Sequence, residues 1–281
     1  MVAVDGHFKF EGHRLAYSDY GSGDRALVLM HGLLMNRHMF DRLAPEMASR
    51  GFRVLTIDVL GHGGSDRPED MRLYNMPAFG DHIAALIDHL DLDRPVVGGT
   101  SLGANAALEL AHAHPGKARA LLVEMPVLDE ALLGAALAFT PVLLGLRFGL
   151  PVLKPLSAVL RRVPRSHYLV DIGLDWLRQD PAASRAVLEG ILFHRTAPPH
   201  LERLEIAEPA LVIGHPSDPL HPFSDAGMLV EEMENARLID ANSILEWRLS
   251  PGRLDDLLAD FLEEAYAEGP EAAVAGVSSA A

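Results

Sequence analysis

Cysteine is absent from the 281 residues, which removes disulfides, thiolate metal ligands and a cysteine nucleophile together and leaves the redox compartment unread. Basic runs are absent too. With 24 Lys and Arg against 39 Asp and Glu, and a formal net charge of -15, the electrostatic footprint of a nucleic-acid binder is missing, and nucleic acid is excluded as a partner. The first residues, MVAVDGHFKFEGHR, show no basic segment followed by an apolar one, so no signal peptide is read and a cytoplasmic location is expected. No metal-ligand spacing or nucleotide fingerprint stands out. Gly98-Gly99 and Gly61-His62-Gly63-Gly64 read as ordinary turns rather than phosphate loops, so neither metal nor cofactor is expected. Long hydrophobic runs are also scarce. Residues 131–146 carry no charge, but Pro141 interrupts them and the run is shorter than the roughly 20 residues a bilayer requires. No transmembrane segment is expected. The stretch reads either as a helix packed on the core or as an apolar wall over a pocket.

What is present is the composition of an ordinary globular protein, 49% hydrophobic and 22% charged, with length for one large α/β domain carrying an insertion. An antiparallel hairpin is expected around Glu11-Gly12. Residues 26–30 and 54–57 are apolar runs suited to strands buried on both faces, separated by a helix predicted over 39–50 and stopped by Gly51. A helix over 76–90, a strand before residue 100, a helix after it and a strand over 118–123 continue the alternation. Such alternation predicts a mostly parallel, doubly wound sheet with helices on both faces. Residues 128–204 change to helices broken by Pro141, Pro151, Pro155, Pro164, Pro181, Pro198 and Pro199, and read as an inserted helical cap. The core is then 1–127 and 205–268, and the Ala-, Gly- and Ser-rich tail 269–281 is expected to be disordered.

Chemistry collects at the carboxyl ends of such strands. Those ends carry His31-Gly32-Leu33, Asp58, Ser101 and Glu124. The sharpest signal is Gly99-Thr100-Ser101-Leu102-Gly103, a GxSxG between strand and helix. A strand turning abruptly into a helix leaves no room for a Cβ two residues either side of the apex, which explains the glycines and exposes the Ser101 hydroxyl at a helix N-terminus. In order, YSDYGSG, His31-Gly32, Asp58 followed by GHGGSD, GxSxG, a cap insertion and GHPSDP resemble the α/β-hydrolase fold over nearly the whole core. The resemblance implies that Ser101 is the nucleophile, Asp218 the acid, and the N–H groups of Leu33 and Leu102 the oxyanion hole, with His31 and His62 structural.

One element departs from that pattern. The family's histidine lies some seven residues before the proline opening the final helix, and counting back from Pro251 gives Ile244. No histidine follows His221. A serine hydroxyl needs a base to take its proton and return it to the leaving group, so another residue must serve. The leading candidate base is His221, three residues beyond Asp218, against a reading in which it packs under the cap or caps a helix. His215 is a candidate if exposed, and Glu246 only if burial raises its pKa. Glu124 is a candidate acid that otherwise faces solvent or anchors the cap, while His167, His194 and His200 of the cap read as surface residues. Two functions follow. One is an acyl hydrolase or acyl transferase acting through Ser101 on a small-to-medium hydrophobic ester, thioester or lactone. The other is a non-catalytic relative that binds a hydrophobic small molecule, favoured by Ile244; a third, peripheral docking to membranes, rests on the apolar run alone.

Overall fold

The computed structural model describes residues 2–218 and 220–267. The expected tail, 269–281, lies outside the described residues. Strands β1 (Val4–Phe10) and β2 (His13–Tyr20) form the expected hairpin, turning at Glu11 and Gly12, both with positive φ. Six further strands follow: β3 (Ala26–Met30), β4 (Arg53–Asp58), β5 (Val96–Thr100), β6 (Ala120–Glu124), β7 (Ala210–Gly214) and β8 (Ala236–Asp240). They make one eight-stranded sheet in the order β1-β2-β4-β3-β5-β6-β7-β8, antiparallel only at β1·β2 and β2·β4. The inner strands β3, β5, β6 and β7 are buried throughout, as strands covered by helices on both faces must be.

Helices α1 (Leu43–Ser49), α2 (Met76–His89) and α3 (Leu102–Ala113) belong to the first half of the core. The helix expected over 39–50 is shorter. Asn36 caps a separate 3-10 turn, Arg37–Phe40, by accepting the His38 N–H at 3.0 Å, and α1 starts only at Leu43. After β6 the chain is helical: α4 (Leu132–Leu160), α5 (Tyr168–Arg178), α6 (Pro181–Leu192) and α7 (His200–Arg203). It returns through β7, α8 (Phe223–Glu232), β8, α9 (Glu246–Leu249) and α10 (Gly252–Ala267).

One expectation fails in the helical segment. Pro141, Pro151 and Pro155 do not interrupt α4, which runs unbroken for 29 residues. All three prolines are exposed, so the carbonyls that lose a helical donor can face solvent, and the helix can curve around what lies beneath it. By length and composition α4 is also apolar enough to cross a membrane, so the grounds for setting such a helix aside do not hold.

Several side chains clip this segment to the core. Asn105 on α3 bonds Val127 through both its carbonyl oxygen and its amide, and donates to the Thr196 carbonyl at 2.6 Å. Buried Asp225 accepts the N–H groups of Leu128, Glu130 and Ala131. Gln179 donates to the Met35 carbonyl at 2.9 Å.

The close parallel pairing of β3 with β5 positions the site. A Cβ on Gly99 or on Gly103 would meet the Met30 carbonyl oxygen at the end of β3. Gly103→Ala should therefore cost about 2–4 kcal/mol, the range for overpacking a rigid backbone contact. Gly227, within α8, has open space around its Cβ position, and Gly227→Ala should stabilise by about 0.5–1 kcal/mol through helix propensity. Urea unfolding of both variants beside the parent checks the opposite signs.

Candidate active site

Strand β5 ends at Thr100, and α3 begins at Leu102; between them Ser101 adopts φ 55° and ψ -110°. That is a strained conformation for a non-glycine residue. It is held from behind by the Ser101 N–H donating to the Glu124 carbonyl at 2.8 Å, and the hydroxyl is turned away from the sheet toward the loop after β7.

That loop supplies the partner. His221 Nε2 lies 2.9 Å from Ser101 Oγ, and His221 Nδ1 lies 2.9 Å from Asp218 Oδ2. Partial burial pushes the Asp218 carboxyl up, but hydrogen bonds from the His221 side chain and the Leu220 N–H outweigh it and hold it below the usual carboxylate range. An ionised carboxylate can only accept, so Nδ1 of His221 carries the proton and Nε2 is free to accept from the Ser101 hydroxyl. The same Asp218 carboxylate takes the backbone N–H groups of Leu220 and His221 at 2.8 and 3.1 Å, wrapping the loop into a tight turn. Serine, imidazole and carboxylate thus form one continuous hydrogen-bonded chain, the arrangement that raises serine nucleophilicity.

Leu33 and Leu102 flank Ser101 in the wall of the same cavity. Among the described residues their backbone N–H groups make no hydrogen bond. His62 braces the first of these loops by accepting the Leu34 N–H at 3.3 Å while its Nδ1–H donates to the Leu60 carbonyl at 3.0 Å. Burial pushes the His62 imidazole down to about 3, keeping it neutral. His31, also fully buried, donates from Nδ1 to the Gly32 carbonyl at 2.8 Å. Neither imidazole hydrogen-bonds Ser101.

The cavity above Ser101 has a volume of about 440 Å³ and is bounded by Leu102, Leu128, Phe139, Leu188 and Ile191 among others. Its charged members are already engaged. Arg195 pairs with Glu109 and Glu202, and Arg203 with Glu232 and Asp129. Ser101 and His221 open onto a mostly apolar chamber, whose other uncharged polar lining comes from Asn105, His194 and Thr196.

The other candidate bases go elsewhere. His215 is not exposed but buried, and Glu124 neither meets solvent nor anchors the cap. The two lie 3.4 Å apart in a cluster beneath Ser101, where Glu124 also accepts from Arg248 at 3.0 Å and from the Thr100 hydroxyl. Glu246 is held at about 2, chiefly by Arg253 and by the Asn242 N–H and amide, the opposite of the raised pKa a carboxylate base needs. In the cap, His167 is exposed, His200 pairs with Glu232 at 2.7 Å, and His194 bonds the Gly190 carbonyl although it borders the cavity. Ile244 is exposed. Arg248, four residues on, is the residue from that loop that reaches the ends of β5 and β6. Sequence reasoning missed Arg248 because a lone arginine in a single helical turn carries no pattern.

The model of the alpha/beta hydrolase fold matches residues 25–141, and the fold aligns over 92% of this chain and 100% of an enol-lactonase from Burkholderia xenovorans, with a TM-score of 0.74 at 23% identity. The chain has the α/β-hydrolase fold. In sequence it is similar to the AB hydrolase superfamily protein YisY of Bacillus subtilis, 34% identical over 40% of this chain and 41% of that protein. It is also similar to a 2-hydroxymuconate semialdehyde hydrolase of a Pseudomonas species, 38% identical over 28% and 27% of the two chains. In these two matches the α/β-hydrolase chain aligns with less than half of either curated relative.

The buried cluster makes its own prediction. Burial pushes the Glu124 carboxyl up, but Arg248 and His215 outweigh it and hold it at about 2 against an ordinary 4.5. A depressed carboxylate contributes stability that is present above 4.5 and lost as pH falls toward 2. Glu124→Gln should cost about 3–5 kcal/mol at pH 7, because Arg248 is left buried without its counter-charge. The variant should also lose stability less steeply between pH 4.5 and 2 than the parent, as followed by thermal melts across that range.

Proposed function

We propose that this protein is a serine hydrolase that transfers the acyl group of a small-to-medium hydrophobic ester, thioester or lactone through Ser101. The hydrogen-bonded chain from Ser101 through His221 to Asp218 carries the reading. Ser101 Oγ attacks the carbonyl carbon as His221 Nε2 takes its proton. The resulting oxyanion is met by the N–H groups of Leu33 and Leu102, and the dipole of α3 adds to their effect. His221 then returns the proton to the leaving oxygen or sulfur, leaving an acyl ester on Ser101 that water hydrolyses by the same proton path in reverse. Asp218 stays ionised and orients the imidazole.

The substrate class is inferred from the chamber. Arg195 and Arg203 are neutralised by carboxylates and the remaining wall is largely apolar, which favours a neutral, hydrophobic acyl or alcohol portion. The enol-lactonase and the semialdehyde hydrolase to which the chain is similar agree with hydrolysis without identifying the substrate. The binding-protein alternative rested on Ile244, and the position of His221 weighs against it.

A fluorophosphonate probe tests the reading on purified protein, read beside hydrolysis of short p-nitrophenyl esters. Labelling should vanish in Ser101→Ala. The variants His221→Ala and Asp218→Asn should keep the melting temperature within a few degrees and lower kcat by about 10³–10⁶ and 10³–10⁴ respectively. Labelling that persists in Ser101→Ala, or His221→Ala with parental kcat, would overturn it.

A further inference from the structure

Helix α4 carries its apolar residues on the wrong side for a helix that faces only water. Leu133, Leu137, Leu144, Phe148, Val152 and Val159 recur at helical spacing and are 72%, 68%, 49%, 76%, 69% and 56% exposed. Pro141, Pro151 and Pro155 fall on or beside the same stripe and are exposed as well. In a surface helix that outward stripe is normally polar. Here the outward stripe and the inward side are both apolar: Ala135, Ala136 and Phe139 line the cavity above Ser101, and none of the helix's most apolar 18-residue window is buried.

Charge points the same way. Residues 131–170 contain no Asp or Glu but do contain Arg147, Lys154, Arg161, Arg162 and Arg165, in a chain whose net charge is -15. Arg147, Lys154 and Arg165 pair with Glu189, Glu69 and Asp175, whereas the exposed Arg161 and Arg162 at the end of the helix make no ion pair among the described residues. An exposed apolar stripe ending in unpaired cations suits a helix that lies in the plane of an anionic bilayer surface. Spanning the bilayer is a poorer fit. Each proline removes a helical hydrogen bond, leaving carbonyls that would be costly in hydrocarbon but are reached by water and headgroups at the interface. Buried Ser157 and the packing of α4 against α5 and α6 also tie the helix to the rest of the protein.

We infer that the outer face of α4 docks this protein on an anionic phospholipid surface, with the apolar stripe in the headgroup–acyl boundary and Arg161 and Arg162 among the lipid phosphates. The inference rests on the surface alone and stands apart from the reading of Ser101. In the docked state the helix that walls the cavity is also the one in contact with lipid.

Co-sedimentation of the full chain with phosphatidylcholine vesicles, with and without added phosphatidylglycerol, tests it. Binding is expected to the vesicles containing phosphatidylglycerol, to weaken with added salt, and to fall at least ~10-fold in the double variant Phe148→Glu, Val152→Glu. Both positions are exposed and outside the cavity, so that variant should keep the parental melting temperature and parental hydrolysis of a water-soluble ester. Arg162→Glu should weaken binding with the stripe intact. Failure to sediment with either vesicle, or equal sedimentation of parent and double variant, would overturn the inference. So would a stable dimer in sedimentation velocity that the double variant dissolves, since the stripe would then be covered by a second copy.

Discussion

Everything in the site follows from how closely β3 and β5 approach where β5 turns into α3. The Met30 carbonyl sits where a Cβ on either Gly99 or Gly103 would have to go, so the turn accepts side chains only between those positions. Ser101 takes the strain, at φ 55°, and is held there by the Glu124 carbonyl from the neighbouring strand. The parallel register of β5 with β6, in which Thr100 faces Glu124, therefore fixes the height of the hydroxyl above the sheet. Backbone geometry, rather than any side-chain contact, presents the hydroxyl to the loop after β7.

Beneath that turn lies a second polar layer. Arg248 from α9 reaches Glu124, and His215 from the end of β7 approaches it from the other side. A buried carboxylate between a guanidinium and an imidazole is costly to assemble and costlier to break. Its position at the ends of three strands makes it a clamp on β5, β6 and β7. The helical segment is clamped separately. Asn105 ties its departure at Val127 to its return at Thr196. Asp225 takes the buried N–H groups of Leu128 and Ala131, which would otherwise be unpaired, together with that of Glu130.

The core was legible because its signals are local. Alternating apolar runs and helical periods expose a parallel sheet, and GxSxG names its apex through the steric needs of two glycines. Asp218 and His221 were legible as candidates from one short motif after β7, but their contact depends on a tight turn closed by the Asp218 carboxylate. No periodicity encodes that turn. The Glu124 cluster was invisible because its members come from positions 100, 124, 215 and 248, brought together only by the strand order. Pro141 misled for a different reason. Proline breaks a helix by clash and by a lost hydrogen bond, and the second cost falls when the orphaned carbonyl faces outward, which depends on the helix's orientation on the protein.

Placing carboxylate and imidazole three residues apart changes what the rest of the chain has to hold in register. Where the two groups come from loops on different strands, every shift of those strands is felt in the distance between them. Here the Asp218–His221 contact closes within a single turn, so its geometry survives movements of the sheet edge. The segment after β8, where Ile244 stands exposed, makes no contact of its own with the serine hydroxyl. What constrains it instead is Trp247 in the core, the Ser243 carbonyl on His215 and Arg248 on Glu124.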